Sequence, residues 1–347
     1  MAIDLTVMGA GVFGLSVALA CARRGARVLV RDPRGVGAGA SGGLVGALAP
    51  HAPENWTPIK AFQLEALRMA SAFWAGVAEA GLDPGYAPTG RVQPIADAAA
   101  LARAEARAAG AAEHWGPTVQ WRILPAADAP GLPVASPTGL VVHDTLSARL
   151  HPRRACAALD AALRAQGGRI EQGTTPPPGP VVWATGWEGL ADRNLGGPVK
   201  GQALLLKLDA GPVPMVCDTG LFIVPHSGGT VAIGSTSERH FEDPDTTDAQ
   251  LEDVLARATA LCPTLAGASI LERWAGLRPR AASRQPVLGR LPGARDAYIA
   301  NGGFKIGFAL APLVAERMAD LILTGQADIP DAFAPPQPSS TPQTSPD

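Results

Sequence analysis

The stretch Thr6–Asp32 limits what this chain can become more than any other. Thr6-Val7-Met8 runs into Gly9-Ala10-Gly11-Val12-Phe13-Gly14, and an alanine-rich segment continues to Arg24-Gly25. A second apolar run, Arg27-Val28-Leu29-Val30-Arg31, then ends on Asp32. Apolar strand, G-x-G-x-x-G turn, helix, strand and acid, in that order, form the βαβ dinucleotide fingerprint. Gly9 allows the tight turn, Gly11 lets backbone approach a pyrophosphate, and Gly14 lets the helix lie close to the sheet. The free N–H groups at the helix start are natural partners for phosphate charge. Asp32, twenty-three residues after Gly9, is placed to accept from ribose hydroxyls. This stretch by itself leaves FAD and NAD both open.

The 347 residues suffice for one large core or two medium ones. A formal net charge of −2 and the lack of a sustained Lys/Arg block argue against a nucleic-acid partner. Gly, Pro or charge breaks every apolar run well short of a membrane span. A strand beginning near Ile3 leaves no room for a signal peptide, so a soluble cytoplasmic protein is expected. Cys21, Cys156, Cys217 and Cys262 are far apart and form no C-x-x-C pair, so no metal site is expected.

Further along, Gly35–Gly43 is too glycine-rich for an ordinary helix and suits a backbone that hugs a ligand. Ala66, Met69, Phe73 and Val77 form one stripe of a helix over about 59–79. Further helices are expected over Ala98–Ala109, Pro152–Ala165, Asp248–Leu261 (capped near Thr246 or Thr247) and Ala309–Leu323. Val181-Val182-Trp183 is a buried strand leading into the small-residue turn Ala184-Thr185-Gly186. Leu204–Leu208, Leu221–Pro225 and Thr230–Ile233 come without crossover helices, which indicates an antiparallel sheet separate from the parallel one. The proline-rich tail 331–347 is expected to be disordered.

With these segments in place, the chain from Ile3 to about Gly325 resembles the FAD-dependent D-amino-acid oxidase, glycine oxidase and sarcosine oxidase superfamily. The resemblance rests on the Gly9–Gly14 fingerprint with Asp32 and on Gly37–Ser41 followed by Gly46-Ala47-Leu48-Ala49-Pro50. Val181–Gly186, the Phe222–His226 hairpin with Gly234–Glu238, and Trp274–Pro279 with Pro286–Gly289 complete it. It implies an α/β fold: a Rossmann-like FAD-binding domain on a parallel sheet, interleaved with an α+β substrate domain on a mainly antiparallel sheet. The FAD domain would comprise 1–55, 140–200 and 270–330, and the substrate domain 56–139 and 201–269. Non-covalent FAD is implied, since no cysteine lies near Arg278–Lys305. The contacts implied for it are Gly9, Gly11, Val12, Phe13, Gly14, Asp32, Ala40, Ser41, Gly46, Ala184, Thr185, Gly186, Arg278, Gly302, Gly303, Phe304, Lys305 and Ile306.

The activity implied is oxidation of an amine or small amino acid, with oxygen or another electron acceptor completing the cycle. Glycine, sarcosine or another N-methyl amino acid, and small D-amino acids are the candidate substrates. Alternatives are removal of an N-carboxymethyl group from a larger substrate, or a flavin-binding subunit that needs a partner. The protein's tasks in such chemistry are to hold the carboxylate and align the C–H bond. Arg278 is the first candidate for the carboxylate, because its planar guanidinium binds one bidentately. Lys305, in Gly303-Phe304-Lys305, resembles the substrate-holding lysine of sarcosine oxidases and is the second. His51, after Leu48-Ala49-Pro50, is a candidate for facing the flavin. Arg280 is expected to point away from Arg278 and to be exposed. His226 stands where relatives commonly carry Arg.

Overall fold

A computed structural model describes residues 3–337. The chain opens with β1 (Leu5–Met8), α1 (Val12–Arg23), β2 (Val28–Arg31) and β3 (Ala47–Leu48). It continues through α2 (Pro58–Ala78), β4 (Arg91–Pro94), α3 (Ala98–His114), β5 (Trp121–Pro125) and β6 (Leu140–Asp144). Next come β7 (Ala148–Arg149), α4 (Pro152–Ala165), β8 (Arg169–Glu171), β9 (Val181–Trp183), α5 (Gly186–Ala191) and β10 (Gly196–Lys207). After β11 (Met215–Asp218), β12 (Leu221–His226), β13 (Thr230–Gly234) and α6 (Gln250–Leu261) lies β14 (Ile270–Ala281). The last elements are β15 (Val287–Arg290), β16 (Ala297–Asn301) and α7 (Gly307–Thr324).

Two sheets organise these elements. The first has the order β15-β16-β9-β1-β2-β8. Its neighbours are parallel except at the β15–β16 edge. Largely buried on both faces, β1 and β2 do not alternate, and only Thr6 and the terminal Arg31 are polar. The second sheet, β14-β10-β13-β12-β11-β4-β6-β5, is antiparallel apart from the β11–β4 pair. Its core is Val, Leu and Ile from alternate strand positions, closed on one side by Leu251, Val254 and Ala258 of α6.

Sheet membership divides the chain differently from the expected segments. Residues 140–144 and 270–281 belong to the second sheet, because β6 pairs with β4 and β5 while β14 pairs along its whole length with β10. Conversely α2, expected with the substrate domain, buries Phe62, Leu67, Phe73 and Trp74 in the same core as α1 and α7. Its apolar stripe needs a helical partner, and α7 supplies one. Helix α6 begins later than expected. Its first turn is served by Asp248 Oδ1, which accepts from Gln250 N–H (2.9 Å), and not by Thr246 or Thr247. The start of the expected loose tail is docked: Asp331–Phe333 forms a short turn, with Phe333 buried edge-on to Phe62 at 5.1 Å. Residues 338–347 of that tail lie outside the described residues.

Candidate active site

The fingerprint turn is shaped by close backbone approaches. Gly9 has φ +109°, and a Cβ there would come within 2.3 Å of Ala184 O. A Cβ on Gly14 would lie 1.9 Å from Gly9 O, so helix α1 can sit this close to its own turn only through glycine. The first bond of α1 is Leu15 N–H to Gly11 O (2.9 Å), and Val12 N–H is taken by Ser41 Oγ (3.0 Å). The N–H groups of Phe13 and Gly14 are thus left at the helix start without intrahelical acceptors. A Cβ on Gly11 would meet only the Ser41 side chain, with Oγ at 3.2 Å. Asp32 ties this turn to the end of β2: Oδ2 accepts from Ala10 N–H (2.9 Å), while Oδ1 accepts from Arg34 and Gly35 N–H (2.8 and 3.1 Å).

Three distant segments close around this turn. Ala184 lies against Gly9 and Gly14. Thr185 caps α5 with Oγ1 buried and unpartnered among the described residues, and Gly186 takes φ +67°. From the far end of the chain, a Cβ on Gly303 would fall 3.0 Å from the Phe13 ring, and Gly307 borders Val12. Ala40 and Ser41 form a short turn beside them, and Gly37, Ala38, Gly39, Gly42 and Trp274 line a cleft of ≈ 400 Å³. Gly46 has a packing reason of its own, since a Cβ there would meet Leu150 O at 1.9 Å. Small residues, an orphaned hydroxyl and open helix-start N–H groups therefore converge from four parts of the chain. That set fits the pyrophosphate and ring edge of a flavin dinucleotide.

The cations lie at the end of β14. Arg278 is half-buried; Nη2 donates to Ser235 Oγ (2.6 Å) and Nη1 to Thr236 O (3.1 Å). Its guanidinium rests on Gly201 of β10, where a Cβ would fall 1.9 Å from Nη1. Burial pulls its pKa down to about 10, against the pull of Glu238. Beneath it lies a polar network that the sequence reading did not single out. Gln202 and Thr236 both bond Glu238 Oε1, and buried Lys200 stands 3.8 Å from Glu238 and from Asp248. Its only sequence signal was the Gly234–Glu238 run, which resembled the family's strand pair.

Lys305 follows Phe304, whose φ is +44°, in the turn between β16 and α7. The residue is open to solvent, while Nζ stands 5.5 Å from the Phe304 ring centroid. Desolvation lowers its pKa, and the positive charges of Arg278 and Arg280 lower it further. The structure thus brings Arg278 and Lys305 into one electrostatic neighbourhood. Gly302 (φ +78°) packs on Ala281, joining the Lys305 turn to the end of β14, and Ile306 caps α7. Asn301, unmarked in the sequence, locks the turn by accepting from Gly302 N–H (2.8 Å) and donating to Gly186 O (2.9 Å).

One expectation changes. Arg280 does not point away from Arg278: strand side chains alternate with period two, so residues two apart share a face. Both stand near enough to Lys305 to lower its pKa. His51 is exposed, and it is its backbone that is fixed, by N–H donation to Gln63 Oε1 (2.6 Å). Gln63 Nε2 also donates to Ala49 O (3.1 Å), so this buried glutamine holds the Ala49–His51 segment. Partial desolvation of the ring and the charge of Lys60 lower the His51 pKa. All four cysteines are buried and unpaired. No described helix is long and apolar enough to cross a membrane.

Residues 4–321 match the model of the FAD dependent oxidoreductase (DAO) family. The chain is 29% identical to glycine oxidase of Pseudomonas putida, over 96% of this chain and 99% of that one. It is 26% identical to glycine oxidase of Geobacillus kaustophilus, over 92% of each. Among solved structures, glycine oxidase from Geobacillus kaustophilus superposes with a TM-score of 0.84 at 23% identity, covering 95% of this chain and 97% of the other. Iminodiacetate oxidase from Chelativorans sp. superposes with a TM-score of 0.83 at 22% identity, covering 96% and 99%. Fingerprint, converging small-residue turns and family match agree: the chain belongs to the FAD-dependent oxidoreductases of the DAO family.

Proposed function

We propose that this enzyme oxidises the C–N bond of a small amino acid, with glycine, sarcosine or another N-methyl amino acid, or a D-amino acid as substrate. The observation that carries the reading is Arg278. It is a half-buried guanidinium held by Ser235 and Thr236, with no acidic side chain at ion-pair distance among the described residues. A desolvated cation of this kind is costly unless an anion joins it, and a substrate carboxylate is the anion that suits it.

Bound FAD supplies the two-electron acceptor. The protein's own residues do the rest. Gly9, Gly11 and Gly14, with the N–H groups of Phe13 and Gly14, would cradle the pyrophosphate, and Asp32, which also accepts from Ala10, Arg34 and Gly35 N–H, keeps lone pairs for the ribose. Ala40, Ser41, Gly46, Ala184, Thr185, Gly186 and the turn Gly302–Ile306 border the rest of the cofactor. Arg278 grips the carboxylate bidentately, Lys305 adds a second, more mobile charge, and together they fix which C–H bond is presented. His51 is kept as a candidate lining residue only, since the contacts that fix it run through its backbone.

The test is anaerobic mixing of the purified yellow protein with glycine, sarcosine, D-alanine and D-proline, each beside the amine that lacks its carboxylate. At least one amino acid should bleach the flavin absorbance, and its decarboxylated partner should do so far more slowly. Equal bleaching by both would remove the carboxylate grip.

A further inference from the structure

Arg278 and Arg280 pair in unbroken register with Val199 and Gly197 of β10. A rise of about 3.3 Å per residue puts their Cα atoms roughly 6–7 Å apart on one face of the strand. Next to them stands Phe304, with Arg280 Cζ 5.9 Å and Lys305 Nζ 5.5 Å from its ring centroid. Arg239 and Arg284 add further positive charge, enough to lower the proton affinity of Arg280. Among the described residues none of these five side chains makes an ion pair. Glu238, the acid whose charge acts on Arg278, is engaged by Lys200, Gln202 and Thr236.

One carboxylate does not balance this arrangement. In the reading above, Arg278 and Lys305 take the carboxylate of the amino acid. Arg280 is then left half-buried, flanked by cations and an aromatic face, with no counter-charge. Partial desolvation and the charges of Arg239 and Arg284 lower its pKa, and an anion beside it would offset both effects. A substrate with an apolar tail would leave both standing, and one with a cationic tail would add to them. We propose that Arg280 is a specificity residue that receives a second carboxylate, so that the preferred substrate is a small amino acid bearing two carboxylates. The Cα spacing of the two arginines suits carboxylates separated by two or three carbons. The inference rests on the amino-acid reading of the site.

Its test is a binding measurement that does not depend on which amine is turned over. The FAD-loaded protein is titrated at low salt with succinate and glutarate, and with succinamate and glutaramate, the monoamides of nearly the same shape. Calorimetry or flavin difference spectra report affinity. The better dicarboxylate should bind roughly tenfold or more tightly than its monoamide. Arg280→Met should bring that ratio close to one, and Arg280→Gln should do the same if the methionine variant folds poorly. Equal binding of acid and monoamide by the parent protein, or a ratio that survives both substitutions, would overturn the inference. If that happens while a monocarboxylate amino acid still bleaches the flavin, amino-acid oxidation stands and only the second carboxylate falls. If no carboxylate binds and no amino acid bleaches, both are lost.

Discussion

Arg278 is held so fully by its surroundings that it cannot be exchanged quietly. Ser235 Oγ and Thr236 O fix one edge of its fork, leaving the remaining N–H groups for a ligand. Arg278→Met should therefore cost roughly 2–5 kcal/mol of transition-state binding, read from flavin reduction rate against substrate concentration. Arg278→Lys should recover little of it, because a point charge cannot reproduce the planar fork. FAD occupancy should stay at the parent level in both, and a variant with full flavin and parent kinetics would make Arg278 structural. Lys305→Met should lose less, since a flexible ammonium gives weaker geometric control than a planar fork. The pH dependence separates the two. Desolvation and the neighbouring guanidinium groups lower the Lys305 pKa, so it gives up its proton at a lower pH than an ordinary lysine. Carboxylate affinity should accordingly be complete on the acid side and fall as pH rises through that lowered pKa. An inflection of KM in the alkaline range that Lys305→Met does not remove would assign it to another group.

The elements that carry these residues were only partly legible in the sequence. The β1–α1–β2 unit follows from glycine spacing and apolar runs, because local sterics decide both. The Val181–Gly186 turn and the segment around Lys305 were legible for the same reason. Residues 270–273 and 196–203 were harder. They lie at opposite ends of a twelve-residue strand pair, β10–β14, whose pairing partners are about 75 residues apart in sequence and whose exposure does not alternate cleanly. Gly201 was invisible for that reason, because the need for glycine arises only once Arg278 lies across it. Gly201→Ala should consequently act as a substitution of Arg278 made from the neighbouring strand. Its Cβ would occupy the place of the guanidinium, so KM for the substrate should rise at least tenfold while FAD remains bound. A parent-like KM would show that Arg278 shifts freely. Gly14→Val should behave oppositely and release FAD, because backbone at Gly9 O cannot retreat as a side chain can.

At the scale of the molecule, the two layers meet at a seam with unusual charge. His226 ends β12 in the second sheet, and its ring lies 4.6 Å from that of His151, which caps α4 of the first layer. Arg149 on β7 is buried beside them. Neither ring nitrogen of His226, nor Nε or Nη1 of Arg149, has a partner among the described residues. Arg154 crosses the seam to Ser227 Oγ (3.0 Å). Burial first, and then His151, Arg149 and Arg154, push the His226 pKa from 6.5 down to about 3. The sign follows from linkage. Below pH 6.5 the unfolded chain takes up a proton that the folded one refuses until near pH 3. The stability carried by neutral His226 is therefore complete above pH 6.5 and is lost as pH falls, at about 1.4 kcal/mol per unit. Carboxylates that are ionised in the fold add their own loss only at lower pH. Denaturant unfolding at pH 8, 6.5, 5.5 and 5 should show a fall in stability that begins in the histidine range, with roughly 2 kcal/mol of it due to His226 by pH 5. His226→Gln keeps polarity without a titrating ring and should flatten that part of the curve. Superimposable slopes for parent and variant would mean that the seam takes up its proton elsewhere, with His151 the next side chain to replace.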